Sequence, residues 1–197
     1  MGLLATIPFY PGLDLATLTP SAFAPDEQWM LDRRSESSST VASHFVVQSS
    51  DPQTLAYALV DSPIGTAAWL WERRRSWSDC GGDLLRAHDP DFLCTLASIY
   101  WLTRTIGSSL RTYWEHARSG GLPIMPLHGR KPAIEVPAGY VIGPKEVMLV
   151  PRALAEANTN LRRWTILPKG GHFSFSEQPD LLVDELRAFF RPLRCNG

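Results

Sequence analysis

The feature that most constrains this chain is a change of pattern in its second half, where strands and helices alternate but do so only twice. Residues 136–142 (VPAGYVI) read as a strand, 151–157 as a helix, 163–167 (RWTIL) as a second strand and 179–190 as an amphipathic helix. Such alternation builds a parallel sheet with helices against its faces. A pair of strands is marginal in water, and its open edges invite further pairing. The expectation is therefore the end of a larger sheet rather than a complete one.

Residues 51–116 follow a different rule and are helical almost throughout. Asp51 can cap a helix with Pro52 in its first turn, and Ser62 a second with Pro63 at its first position. Asp89 and Pro90 repeat the signal ahead of Phe92, Leu93, Leu96, Ile99 and Leu102, and the apolar spacing resumes at Leu110, Tyr113 and Trp114. The first 25 residues are proline-rich and lack periodicity. A helix is expected over 26–33, a serine run at Ser37 to Ser39 in a loop, and 44–48 (HFVVQ) either extended or opening the next helix. The division expected is an irregular segment at 1–50, a helical block at 51–118 and an α/β portion at 119–197, the last entered through a glycine- and proline-rich loop at 119–132.

At 197 residues the chain can bury a sizeable core. Nineteen basic residues against 20 acidic ones leave no basic excess for nucleic acid or an anionic surface. Cys80, Cys94 and Cys195 are odd in number and unpaired by spacing, which fits reduced thiols in the cytoplasm. The apolar N-terminus has no basic flank and is broken by Pro8 and Pro11, so neither a leader nor a membrane span is expected. No ligand spacing among the histidines and no CxxC suggests a metal, and no phosphate-binding glycine loop occurs. Arg73 to Arg75 read as the charged end of a helix. Trp69, Trp71, Trp77, Trp101 and Trp114 read as packing, with one or two free to line an apolar pocket.

Two residues stand out chemically. His172, in PKGGHFSF, follows a strand and precedes the last helix, where glycines allow the sharp turn that brings an imidazole to a pocket. A surface-loop histidine is the plain alternative. Glu146, in VIGPKEV, occupies the loop after the preceding strand, from which a carboxylate can reach the far ring nitrogen and fix the tautomer. By itself it could equally be a solvated loop charge.

The segments DPQTLAYALVDSPIGTAAW, WSDC, IYWLTRTIGSSLRTYWE, VPAGYVIGPKE and PKGGHFSFSEQPDLLVDELRAFF together resemble the microsomal-type epoxide hydrolases, in order and over residues 48–190. The resemblance implies a partial α/β-hydrolase fold, a helical lid followed by the last two strands and helices of the parallel sheet. It also implies a cofactor-free, two-step reaction that adds water to an apolar epoxide to give a vicinal diol: an aspartate opens the ring to form an ester, and a histidine-activated water hydrolyses it. It makes His172 the general base, Glu146 the acid that orients it, and Tyr113 a donor to the epoxide oxygen. Where the family has a second such tyrosine, this sequence has His44, which can donate but is shorter and changes charge near neutrality.

The resemblance also marks an absence. The family's nucleophile sits in a GxDxG-like turn and its oxyanion hole in an HGWP-like loop, and neither occurs. The nearest match, GLDLA at 12–16, makes Asp14 a turn residue rather than a nucleophile. The chain is expected to begin just after the strand preceding the lid, as a truncated epoxide hydrolase-like protein. Its partners would be an apolar epoxide and either a complementary N-terminal α/β-hydrolase chain or a second copy of itself. The alternative is an inactive α/β-hydrolase remnant that binds an apolar ligand or a protein, or a decayed fragment without a function of its own.

Overall fold

The computed structural model describes residues 1–15, 18–119 and 129–194. Ala16, His128, Cys195 and most of the expected loop at 119–132 lie outside them. The chain forms two compact units, one from residues 1–36 and 122–197, the other from 37–121.

The first unit is built on a parallel sheet of three strands in the order β1-β2-β3, with β1 at Leu3–Ala5, β2 at Ile134–Ile142 and β3 at Thr159–Ile166. Two of these match the expected strands. β1 is an addition: Leu3 pairs with Ala138 and Ala5 with Tyr140, so a strand does precede the helical stretch. Three residues ahead of IPFYPG are too few to show a period. Ala138 to Ile142 are wholly buried, as expected of a central parallel strand covered on both faces, and this is why they read as a continuous apolar run. The β2–β3 register slips between Ile134 and Gly139, where Pro137 has no N–H to give the ladder.

Two helices complete this layer: α6 at Arg152–Asn158 and α8 at Pro179–Arg194, with a single turn, α7, at Ser174–Glu177. α8 lies so close to β2 that a Cβ on Gly139 would stand 2.9 Å from Phe189 and 2.7 Å from Leu4. Tyr140, Ile142, Leu149 and Ala155 join Phe23 and Met30 in one core, and Val141, Leu167 and Leu182 form another.

α1, at Gln28–Ser50, contributes to both units. Its 23 helical residues run on from the expected short helix through the expected serine loop and take in 44–48, which are helical rather than extended. The serine run is helical: Thr40 and Ser43 turn their hydroxyls back onto the carbonyls of Ser37 and Thr40. Ser37 is itself buried.

The second unit continues with α2 at Pro52–Val60, α3 at Pro63–Trp77, α4 at Pro90–Leu102 and α5 at Ile106–Arg118. Ser62 caps α3 by accepting from Gly65 N at 2.9 Å, and Asp89 caps α4 by accepting from Asp91 N and Phe92 N. Asp51 stands at the head of α2 without a side-chain bond to it. Ala56 and Leu59 of α2 meet Ile106 and Leu110 of α5 in the core, against Trp69, Leu70 and Tyr100.

Indole N–H groups tie the helices at their margins, from Trp71 to Leu93 O at 3.0 Å and from Trp101 to Val60 O at 3.1 Å. Arg73 departs from the solvated helix end expected of it. It is buried, donates to Thr40 O at 2.8 Å and pairs with Glu72, so it holds α3 to α1. Among the described residues no helix is long and apolar enough to cross a membrane.

Candidate active site

Glu146 and His172 project from the loops that leave β2 and β3, so their spacing follows from strands that are hydrogen-bonded neighbours. The loops join through their backbones: Lys145 N donates to Gly170 O at 3.0 Å, and Lys145 bridges Gly171 in parallel fashion. Two glycines permit this approach. Gly170 adopts a φ of +113°, which L side chains rarely adopt, and any Cβ on Gly143 would overlap the Gly170 carbonyl.

The Glu146 side chain is completely buried. Its Oε1 accepts from Val147 N at 2.7 Å, from Met148 N at 2.9 Å and from His172 Nδ1 at 2.7 Å. Its Oε2 is buried with no hydrogen-bond partner among the described residues. Arg33 donates to the carbonyls of Lys145 and Glu146, and Arg34 to Leu149 O, so α1 secures the backbone of the acid's loop. A carboxylate oxygen can only accept from Nδ1. The proton therefore sits on Nδ1 in the neutral ring, and Nε2 carries the basic lone pair.

Tyr113 and His44, the other two residues singled out by sequence, meet in the helical unit. His44 Nε2 lies 3.1 Å from the Tyr113 hydroxyl and 2.6 Å from Gln48 Nε2, one turn along α1. The imidazole is stacked with Trp69 and meets Trp77 and Tyr113 edge to face. Burial pushes the Tyr113 phenol above its ordinary pKa, with a hydrogen bond from Gln48 acting against it. Trp69 and Trp77 are thus partners of His44 as well as packing.

The sequence reading missed Gly143, Arg33, Gln48 and Glu177. Gln48 could have been found as the i+4 neighbour of His44 once α1 was known to be continuous, because such residues share a helix face. Asp14 follows a turn closed by Leu13 N to Tyr10 O, on the stretch after β1, and does not stand at a strand-to-helix turn. Among the described residues no three His, Cys, Asp or Glu side chains converge as metal ligands. Cys80 and Cys94 are unpaired thiols.

No family model matches the sequence. A candidate epoxide hydrolase of Stigmatella aurantiaca is 38% identical over 179 residues, covering 90% of this chain and 39% of that protein. Epoxide hydrolase 1 of Sus scrofa is 33% identical over 150 residues, covering 73% of this chain and 32% of its own length. The juvenile hormone epoxide hydrolase structure from the silkworm Bombyx mori superposes with a TM-score of 0.80 at 23% identity, over 98% of this chain and 49% of that one. The chain thus spans about two fifths or less of the length of these curated relatives. Its parallel sheet with adjoining helices is the C-terminal part of an α/β-hydrolase fold. By sequence the chain is related to the microsomal-type epoxide hydrolases within that class.

Proposed function

We propose that this chain carries the water-activating part of an epoxide hydrolase, with His172 as general base and Glu146 as the acid that orients it. The observation that carries the reading is the 2.7 Å contact between His172 Nδ1 and a fully buried Glu146 carboxylate, on the loops of adjacent parallel strands. In the reaction served, a carboxylate attacks an epoxide carbon, the C–O bond breaks, and the resulting alkoxide takes a proton from Tyr113. His172 Nε2 then removes a proton from water as the oxygen attacks the ester carbonyl. The diol leaves and the carboxylate is regenerated; the imidazolium, stabilised meanwhile by Glu146, gives up its proton, through solvent, to the phenolate left on Tyr113, which restores both groups.

This chain's residues require no cofactor for these steps. The attacking carboxylate is supplied by a segment outside this sequence or by a complementary chain; self-association through the sheet is the other partnership the open strands favour. Aromatic neighbours of Tyr113 suit an apolar epoxide, His44 takes the position of a second donor, and the unpaired thiols fit the cytoplasm. Similarity to epoxide hydrolases supports an enzyme over a binding module.

The test is styrene oxide hydrolysis by the chain, alone and mixed with the N-terminal part of its Stigmatella relative. The isolated chain should be inactive and the mixture active, with His172→Ala lowering turnover about a thousandfold or more. Turnover that survives His172→Ala would remove the histidine from the mechanism.

A further inference from the structure

Glu177 lies in the same PKGGHFSFSE run as His172, and its carboxylate reaches back along the chain. Oε2 accepts from Gly171 N and Oε1 from Phe173 N, both at 2.9 Å. These N–H groups belong to the residues immediately before and after His172. One side chain thus grips the backbone before and after the histidine with two charge-assisted hydrogen bonds. Ser174, itself buried, closes the turn with the opposite polarity by donating Oγ–H to Gly171 O at 2.6 Å.

A plain helix cap would account for part of this. Phe173 is the residue before α7, and a glutamate in the first turn that accepts from that N–H is a familiar cap. A cap has no need of Gly171 N, which lies outside the helix, two residues further back. Nor does a helix of four residues offer much to stabilise. What the second bond fixes is the histidine. With the Gly171 and Phe173 amides held to one carboxylate, the backbone through His172 has less room to swing, and its Nδ1–H is aimed at Glu146 Oε1.

We infer that Glu177 is a positioning residue for His172, acting through the Gly171 and Phe173 amides to hold the imidazole in register with Glu146. The inference rests on the reading of His172 as the base, and its test does not need turnover. In the folded chain, proton NMR at low temperature should show a downfield Nδ1–H resonance that disappears in Glu146→Gln, which assigns it to the His172–Glu146 bond.

Glu177→Gln offers one acceptor oxygen in place of two and turns an N–H donor toward an amide. The downfield resonance should then broaden or vanish, and exchange of the Gly171 and Phe173 amides should quicken about 10- to 100-fold, the loss expected for a hydrogen bond to a charged group. A mere cap predicts another pattern: fast exchange at Glu177 and Gln178, with the Nδ1–H signal intact. That result overturns the inference. If Glu177→Gln does not fold, Glu177→Asp, shorter by one methylene, is read in the same way, and an undiminished signal there overturns it too. Failure of His172 as a base would appear in the hydrolysis assay and leave these spectra unchanged.

Discussion

Acid should loosen the helical unit through one histidine that the proposed chemistry does not use. His88 is buried, with Nε2 2.8 Å from the hydroxyl of Ser78, and its ring is stacked with Phe92. Burial first, and the positive charge of Arg74 second, push its pKa down from 6.5 to about 4. A folded-state value below the unfolded one means that, within that window, the unfolded chain binds a proton the folded chain refuses. The stabilisation is complete above the unfolded value and is lost as the pH falls toward the folded one. Integrating proton linkage from about pH 7.5 to about pH 4.5 gives a loss of about 2.5 kcal/mol.

Urea unfolding followed by tryptophan fluorescence reports this directly, because Trp69, Trp71, Trp77, Trp101 and Trp114, five of the seven indoles, lie in residues 37–121. His88→Gln keeps a polar group beside Ser78 and cannot titrate over this range. Other ionisable groups are common to both proteins and cancel in the comparison. The stability difference between the two pH values should shrink by about 2.5 kcal/mol in the variant. An acid sensitivity identical in both proteins would refute the account of His88.

Gly143→Ala should separate the acid from the base, because its Cβ would overlap the Gly170 carbonyl and neither loop can yield without breaking the Lys145–Gly170 hydrogen bond. Loss of the downfield His172 resonance is the expected result, and an unaltered spectrum would count against the close approach. Glu146→Ala leaves the Val147 and Met148 amides and the His172 ring without their acceptor, and should cost about 3 kcal/mol or more in urea unfolding. A variant as stable as the parent would show that those donors find other partners.

Local chemistry explains which parts of the molecule could be read in advance. Ser62 and Asp89 announce their helices because capping is settled within three residues. β2 announces itself because its last five residues are buried on both faces and therefore apolar without interruption. The order strand, Glu146, helix, strand, His172 was legible for the same reason, since adjacent parallel strands bring their following loops together. β1 was hidden because its three residues gain their identity from the ladder to β2 rather than from any pattern of their own.

α1 was hidden differently. Its middle is rich in serine, whose hydroxyls ordinarily compete with the helix, and here they bond back onto it. Arg73 reads as a surface charge in RRR, and only the carbonyl of Thr40, 33 positions earlier in the chain, makes it an interior tie. Gly143 acts on a neighbouring loop's backbone, and no window of sequence shows which loop that will be; Glu177 acts on amides four and six positions back, a reach that appears only once the turn through His172 is folded.

The junction of the two loops has a bearing on engineering. The bridge from Lys145 to Gly171, the bond to the Gly170 carbonyl and the space left by Gly143 are all properties of main chain. The separation of carboxylate and imidazole is therefore set first by the register of two strands, and among the side chains around them it is Glu177 that refines it. A designer wishing to transplant the pair into another parallel sheet would carry over two short loops, with Gly143 in one and Glu177 closing the other, and could leave the rest of the core to be rewritten.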